Sequence, residues 1–399
     1  MRKESDRAGG ELVVFAALSG EIVLKSRRTR PRFERRLVAN AADALEAWGA
    51  SCGRPRVWEA RLLVEECKDR GDYEKALEAL LHVFGVHGAT LAYRVRYESL
   101  EDLAARVEAL ASGWVRGRRF AVRARRSGRE PFTSLDMARV IGAALYKYSA
   151  GVDLRGPEVE VHVEARGATA FIHRGLRRGP GGLPIGVEGR ALVLFSGGLD
   201  SPLAAWMAAK RGAEVDLLHF VLASPLSLYE SARVARLLAG QWLHGYRARL
   251  YSLDFRPVTR SIAAEVRADY RQVVLRLAMY HAGELVAKRL GYDAAVTGES
   301  VGQVSSQTLK NLRALHAARP PTLPILRPLA GMDKEEIVEA MRRIGLYEEA
   351  SRTREYCRLA EGPVTTAADP ELLRAEYAKI ESLVAEAATR GPLVEMQLR

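Results

Sequence analysis

The sequence predicts an α/β protein in which a doubly wound parallel sheet follows two smaller α+β domains. In the second half of the chain, short apolar strands alternate with long helical stretches, which is the order that produces a parallel sheet with right-handed crossovers. In the first half, the sequence predicts both helices and strands, and most of the excess of basic over acidic residues lies there. A stretch rich in glycine and proline at residues 179–184 separates the two halves.

Length and composition limit the classes of function. With 399 residues, the chain is long enough for two or three domains. It has no apolar run of about 18 residues and begins with charged residues, so we expect neither a membrane span nor secretion. Cys52, Cys67 and Cys357 are too few and too scattered for a disulfide framework, and a reducing, cytoplasmic setting fits them best. The net charge of +12, most of it in residues 1–180, predicts a nucleic-acid partner.

The order of the elements follows from hydrophobic periodicity. The first α+β unit has predicted strands at 11–24 and 56–65, and predicted helices at 33–48 and 73–83. The second unit has predicted helices at 100–111 and 134–148, and predicted strands at 119–125, 158–165 and 169–173. After the linker, strands are predicted at 191–195, 214–221, 248–255, 294–297 and 323–329. Ligands of such sheets bind at the carboxyl ends of the strands.

The segment Ser196-Gly-Gly-Leu-Asp-Ser201 directly follows the first of these later strands. Because glycine has no Cβ, the backbone can turn sharply here and direct its N–H groups at an anion. The helix that begins near Ser201 adds the positive end of its dipole. No Gly-Lys-Ser/Thr follows, so the segment is not a Walker loop. It predicts a phosphate site, and an ordinary turn is the alternative.

Asp200 lies within this segment, and a carboxylate does not bind a bare phosphate favourably. We therefore expect Asp200 to hold Mg²⁺ beside the phosphates. The alternative is that Asp200 caps the N-terminus of the following helix.

The segment resembles the Ser-Gly-Gly-x-Asp-Ser loop of the PP-loop ATP pyrophosphatases, which cleave ATP to AMP and pyrophosphate. Further motifs make the second half resemble the tRNA 4-thiouridine synthase (ThiI) family: Gly181–Pro184 (GGLP), Thr297–Thr308 (TGESVGQVSSQT) and Ile325–Lys334 (ILRPLAGMDK). In the first half, Ser19–Lys25 (SGEIVLK) with Arg30 and Phe33 resembles the ferredoxin-like domain of that family. Phe120–Arg126 (FAVRARR) with Ser134–Asp136 (SLD) resembles its THUMP domain.

The resemblance implies a ferredoxin-like domain at 1–75, a THUMP RNA-binding domain at 76–178 and a PP-loop catalytic domain at 179–399, without the rhodanese domain of some members. It also implies a tRNA sulfurtransferase that uses ATP to adenylate a uridine, at tRNA position 8 in the family. Sulfur transfer then gives 4-thiouridine and releases AMP. The alternatives are a catalytically silent tRNA-binding protein and another tRNA-thiolating PP-loop enzyme.

The resemblance also assigns roles to residues. Those that it places around ATP are Leu194, Phe195, Ser196, Gly197, Gly198, Asp200, Ser201, His219, Phe220, Arg276, Gly298 and Gln307. The catalytic residues that it implies are Asp200, Lys334 and Cys357, with Mg²⁺ on Asp200. Four of these residues have alternative interpretations. His219 could be structural and Arg276 could form an ion pair, while Lys334 could be an exposed residue at the start of a helix. Cys357 could be a thiol without a function. Cys52 and Cys67 are expected to be thiols.

The implied partners are tRNA and a sulfur donor. Three basic stretches, 25–36, 116–129 and 174–178, are expected to contact tRNA phosphates, with a solvated charged face as the alternative. Sulfur would arrive as a persulfide on Cys357, made by a cysteine desulfurase, or as free sulfide. A homodimer stays open, and an iron–sulfur cluster is not expected from one cysteine in the catalytic half.

Overall fold

The computed structural model describes residues 9–128, 130–354 and 364–399. The chain divides into two units, Met1–Gly182 and Leu183–Arg399, and each is built around its own sheet. None of the described helices combines the length and the apolar content that crossing a bilayer requires.

The first unit alternates short strands with helices. Its described strands are β1 (Glu11–Leu18), β2 (Arg56–Trp58), β3 (Arg61–Val64), β4 (Val86–Arg96), β5 (Arg119–Ser127), β6 (Gly151–Val152), β7 (Val159–Arg166), β8 (Thr169–His173) and β9 (Arg177–Arg178). Its described helices are α1 (Gly20–Val23), α2 (Arg30–Ala47), α3 (Arg70–Leu80), α4 (Leu100–Val115) and α5 (Ser134–Tyr146). Asp69, Ser99 and Thr133 start α3, α4 and α5 because their side chains accept a backbone N–H three residues later.

All described strands of this unit belong to one sheet, in the order β2-β3-β1-β4-β8-β7-β5-β6, with β9 paired to β4. Strand β4 lies between β1 and β8 and is antiparallel to both, so the two predicted α+β units share a continuous sheet. Strand β4 was not predicted from the sequence. Most of its residues are buried or half-buried, so the polar–apolar alternation that signals a strand is weak.

Two predicted strands of the first unit are wrong in detail. The strand predicted at 11–24 ends at Leu18, and the short helix α1 follows it. The strand predicted at 56–65 is a hairpin of β2 and β3, which turns at Glu59 and Ala60 with φ of 42° and 62°. Glycine and asparagine usually supply such positive φ values, and neither is present, so the turn has no local signal.

Cys52 and Cys67 form a disulfide across a sequence separation of 15 residues. The prediction that both are free thiols is therefore wrong. The hairpin explains the pairing, because Arg56 lies opposite Leu63 and the same antiparallel register, extended outward, places Cys52 opposite Cys67. The proximity of Cys52 and Cys67 could not be predicted because the hairpin itself was not predicted.

The second unit contains longer helices. Its described strands are β10 (Arg190–Leu194), β11 (Glu214–Val221), β12 (Arg249–Asp254), β13 (Ala294–Val296), β14 (Ile325–Leu326) and β15 (Leu393–Gln397). Its described α-helices are α6 (Asp200–Lys210), α7 (Leu226–Trp242), α8 (Arg256–Glu265), α9 (Arg271–Leu290), α10 (Leu309–Ala318), α11 (Lys334–Arg343), α12 (Tyr347–Ala350), α13 (Pro370–Ala378) and α14 (Glu381–Arg390). Short 3₁₀ turns lie at Ala268–Tyr270 and Ser305–Gln307.

The sheet of the second unit has the order β14-β13-β10-β11-β12-β15. Strands β10 to β14 are parallel, and β15 is antiparallel to β12. The chain places β11 and β12 on one side of β10, and β13 and β14 on the other, so the loop after β10 opens at a topological switch point. The predicted doubly wound architecture is confirmed. The antiparallel edge strand β15 was not predicted.

Candidate active site

The loop after β10 gathers backbone N–H groups around an oxygen. The N–H groups of Ser196 and Gly197 donate to the Oγ of Ser201, at 3.0 and 3.3 Å, and the N–H of Gly198 approaches the Oγ of Ser196 at 3.4 Å. The loop leads directly into α6, whose N-terminus contributes further N–H groups and the positive end of the helix dipole. This arrangement has the donors of an anion-binding nest.

The loop is held in place from two sides. Ser231 in α7 donates a 2.6 Å hydrogen bond to the carbonyl of Ser196, and Thr353 donates a 3.0 Å bond to the carbonyl of Gly197. Gly197 has a φ of +83°, and a Cβ there would lie 2.8 Å from the Cα of Ser231. Only glycine therefore fits this position, for both conformational and steric reasons.

Asp200 is the first residue of α6. The N-cap of that helix is Leu199, without a side-chain hydrogen bond, so the capping role considered for Asp200 is wrong. Its Oδ2 accepts a 3.2 Å hydrogen bond from the amide of Gln303. Gly298 also abuts this point, because a Cβ on it would lie 2.8 Å from the carbonyl carbon of Asp200 and from the N of Ser201. The Thr297–Thr308 motif thus packs directly against the start of α6.

A cavity of about 390 Å³ lies beside the same motif, and Gln303 belongs to its wall. Its lining residues are Ser300, Val301, Gly302, Gln303, Ala330, Gly331, Met332, Asp333 and Lys334. Lys334 opens α11, which is fixed by a capping box between Asp333 and Glu336. Gln303 therefore connects the two predicted residues, because its amide bonds to Asp200 and it lines the same cavity as Lys334.

His219, near the end of β11, is buried and has protein partners on both ring nitrogens. Its Nδ1 lies 3.0 Å from the carbonyl of Phe195, and its Nε2 lies 3.0 Å from the Oγ of Ser227. Burial lowers the pKa of His219 below its ordinary value, and the hydrogen bond to Phe195 only partly opposes this. Phe220 packs edge-on against Phe255, with ring centroids 4.9 Å apart. Leu194 and Phe220 both belong to the hydrophobic core.

Arg276 makes an ion pair, which was the alternative considered for it, and its partner Glu299 was not predicted. Its guanidinium donates to Glu299 and, at 3.0 Å, to the Oγ of Ser306. The Glu299 carboxylate also accepts from Tyr280, from Thr297 at 3.0 Å and from Arg327 at 2.9 Å. Burial alone would raise the pKa of Glu299, but Arg276, the Tyr280 hydrogen bond and Arg327 hold it below its ordinary value.

Glu299, Tyr280 and Arg327 were therefore missed as site residues. Glu299 lies inside the Thr297–Thr308 motif, and a carboxylate within three residues of the end of an apolar strand was the available signal. Two polar atoms next to this cluster are buried without a protein partner among the described residues, the Oε1 of Gln307 and the Nε of Arg276. Such orphaned groups are costly unless a ligand or water completes them.

The predicted RNA-binding residues belong to the first unit, and several of them carry acidic partners. Arg30 pairs with Glu34 at 2.6 Å, and Arg123 pairs with Glu160 at 2.7 Å. Lys25 lies over the ring of Phe33, 4.8 Å from its centroid. Cys357 lies outside the described residues.

Family models match most of the chain. The model described as thiamine biosynthesis protein (ThiI) matches residues 186–382. The THUMP domain model matches residues 97–173, and the ThiI ferredoxin-like domain model matches residues 18–90.

Comparison with individual proteins indicates the same family. A tRNA sulfurtransferase of Desulfurococcus amylolyticus is 45% identical over 369 residues, which cover 92% of this chain and 75% of that protein. A probable tRNA sulfurtransferase of Aeropyrum pernix is 44% identical over 365 residues, which cover 91% of both chains. A crystal structure of a 4-thiouridine synthetase–RNA complex with bound ATP aligns with a TM-score of 0.78 and 26% identity, over 97% of this chain and 100% of that one.

Proposed function

Because the chain belongs to the tRNA sulfurtransferase (ThiI) family, we propose that it is an ATP-dependent enzyme that converts a uridine of tRNA to 4-thiouridine. A similar solved structure is that of a 4-thiouridine synthetase with bound RNA and ATP. The observation in this chain that carries the proposal is the loop at 196–201, whose N–H groups converge at the switch point of the second sheet.

In the proposed first step, the O4 of the uridine attacks the α-phosphorus of ATP and pyrophosphate leaves. Adenylation is needed because a uracil oxygen is a poor leaving group, whereas the adenylated oxygen departs as part of AMP. The N–H groups of the loop and the N-terminus of α6 would bind the phosphates and stabilise the charge that develops on them. Lys334, in the wall of the cavity, would offset the charge of the departing pyrophosphate.

Asp200 suits a magnesium ion. Its carboxylate lies at the start of α6, oriented by Gln303 and adjacent to the loop that would hold the phosphates. Mg²⁺ is usually bound by one or two carboxylates together with substrate phosphates, which is the donor set available here. The ion would supply charge neutralisation on the phosphate oxygens.

The adenosine end would lie against residues of the neighbouring strand ends. The unpartnered Oε1 of Gln307 is an acceptor suited to an exocyclic amine, and the unpartnered Nε of Arg276 is a donor on the side chain that binds Ser306, the residue before Gln307. His219 already binds Phe195 and Ser227, so its proposed contribution is to fix the end of β10 beside the nucleotide.

In the proposed second step, a sulfur nucleophile attacks C4 of the adenylated uracil and AMP leaves with the O4 atom. Hydrosulfide completes this exchange without a reductant, because it supplies both the sulfur and the electron pair. A persulfide on Cys357 also transfers its outer sulfur, but a second thiol must then cleave the sulfur–sulfur bond. We propose that this thiol comes from outside the chain.

The tRNA would be bound through the basic stretches of the first unit. Shape recognition of folded RNA through phosphate contacts suits clustered arginines better than reading of the base sequence does. The continuous sheet through β4 supports this role, because it makes the two halves of the unit a single platform.

The test is formation of 4-thiouridine. The protein is incubated with unmodified tRNA, Mg·ATP and either sulfide or a cysteine desulfurase with cysteine, and digested RNA is analysed by mass spectrometry. We expect product from the wild type and a loss of at least about 100-fold in Asp200→Asn. Loss in Cys357→Ala only with the desulfurase would assign the persulfide to Cys357. A wild type that binds tRNA but forms no product would overturn the proposal.

A further inference from the structure

Glu299 occupies a central position at the carboxyl edge of the second sheet. It follows β13 by three residues, and it is 4% exposed. Its hydrogen-bond donors come from separate elements: Thr297 beside it, Arg276 and Tyr280 from α9, and Arg327 after β14. One carboxylate therefore joins the ends of two strands to the helix that packs on them.

The charges in this cluster do not cancel. Two guanidinium groups face one carboxylate, so the cluster carries net positive charge at the edge where ATP would bind. A buried ion pair contributes little to stability by itself, because desolvation offsets most of the attraction. A purely stabilising role therefore explains poorly why a second arginine is present and why charge is left over.

The cluster also reaches the orphaned polar groups. Arg276 uses one nitrogen for Glu299 and another for the Oγ of Ser306, while its Nε has no protein partner among the described residues. Ser306 precedes Gln307 in a 3₁₀ turn, and the Oε1 of Gln307 is likewise unpartnered. A chain of contacts thus runs from Glu299 through Arg276 and Ser306 to Gln307, and it includes both buried polar atoms that lack a protein partner among the described residues.

We propose that Glu299 is a positioning residue for the nucleotide: by binding Arg276 and Arg327, it fixes the donor on Arg276 and the acceptor on Gln307 at the carboxyl edge of the sheet. The inference rests on the proposed ATP-dependent function. Glu299 itself has no direct role in the chemistry, since its carboxylate is already occupied by protein donors.

Glu284 provides a matched control. It is 1% exposed, pairs with Arg319 at 2.5 Å and accepts hydrogen bonds from the N–H of Thr322 and, at 3.0 Å, from the N–H of Leu323. These partners precede β14, so Glu284 lies toward the opposite, amino edge of the sheet. The two glutamates share burial, an arginine partner and the same substitution, and they differ in the edge at which they lie.

The experiment compares Glu299→Gln with Glu284→Gln in the full-length protein. Steady-state kinetics of AMP formation with tRNA and sulfide give kcat and the KM for ATP, and thermal unfolding gives stability. For Glu299→Gln we expect the KM for ATP to rise about 10- to 100-fold, with a much smaller change in kcat, because a group that orients ground-state contacts acts on binding. Glu284→Gln should keep the KM of the wild type at a comparable loss of stability.

Two further variants keep the test valid if Glu299→Gln misfolds, and show whether Glu299 acts through Arg276. Tyr280→Phe removes one hydrogen bond from Glu299 while keeping its charge, and we expect a smaller rise in KM of about 3- to 10-fold. Adding Glu299→Gln to Arg276→Ala should change KM little beyond the effect of Arg276→Ala, because Glu299 acts through that arginine.

Equal KM values for Glu299→Gln, Glu284→Gln and wild type would overturn the inference and leave the proposed function intact. A wild type without ATP turnover would overturn both. If Glu299→Gln does not fold, an unchanged KM in Tyr280→Phe overturns the inference, and a raised KM there supports it.

Discussion

The two edges of the second sheet use similar polar groups in opposite ways. At the amino edge, Asp216 is fully buried and accepts hydrogen bonds from Tyr246 at 2.6 Å, from Tyr292 at 2.5 Å and from the N–H of Arg249 at 2.6 Å. Burial, together with the hydrogen bond to Asp216, raises the pKa of both tyrosines above the ordinary value. Both tyrosines therefore stay neutral donors, and the cluster is complete within the protein.

At the carboxyl edge, the polar groups are incomplete. The Glu299 carboxylate has its donors, but the Nε of Arg276 and the Oε1 of Gln307 have no partner among the described residues. The cavity of about 390 Å³ is lined by other residues of the same motif, Ser300 to Gln303, together with residues 330–334. The comparison suggests that polar groups completed by the protein stabilise the fold, whereas groups without a protein partner at the carboxyl edge, where parallel sheets bind ligands, fit the proposed nucleotide site.

The largest effect is expected at the amino edge. Asp216→Ala leaves buried donors on Tyr246, Tyr292 and Arg249 without an acceptor, so the free energy of unfolding should fall by about 3–5 kcal/mol. Urea unfolding followed by circular dichroism measures this loss. The KM for ATP of the folded fraction should not change. A raised KM would contradict the inference that the amino edge acts on stability and the carboxyl edge on ATP binding.

The disulfide of the first unit gives a reference for stabilisation that does not depend on polar contacts. Replacing both Cys52 and Cys67 by serine should lower the free energy of unfolding by about 3 kcal/mol, because a cross-link over a loop of this length restricts the unfolded chain. Unfolding of the wild type with a reductant should match the variant. Equal stability of the variant and the oxidised wild type would contradict the expectation.

At the carboxyl edge, Gly298→Ala should lower activity about 100-fold, because the new Cβ must displace Asp200 and Ser201 from their positions. The φ of Gly298 lies outside the left-handed region, so alanine causes no backbone strain. Gly240→Ala is the control, since a Cβ there has open space in α7. It should stabilise the helix by about 0.5–1 kcal/mol and leave activity unchanged. Equal activity of the two variants would show that the close contact of Gly298 with Asp200 and Ser201 is not required for activity.

The smallest effect concerns pH at the same edge. The pKa of His219 is lowered in the folded protein, so the unfolded chain takes up protons more readily near pH 6.5. Its contribution to stability is therefore complete above pH 6.5 and is lost as the pH falls below that value. His219→Gln should flatten this part of the curve of unfolding free energy against pH. An unchanged slope would show that His219 does not titrate in this range.

The sequence by itself determined the features that depend on neighbouring residues. Ser196–Ser201 after an apolar strand predicted the phosphate loop, since glycine conformation and a helix start are local properties. The alternation of strands and helices after residue 184 predicted the doubly wound sheet for the same reason. The persulfide role of Cys357 stays a prediction.

Only the tertiary structure decided which distant side chains meet. Arg276 binds Glu299 across 23 residues, and Arg327 binds it across 28. The disulfide depended on a hairpin without a glycine turn, and β4 depended on burial that weakened its alternation. Periodicity and motifs report the conformation of a segment, but the partner of a buried charge is set by how strands and helices pack, which no local pattern records.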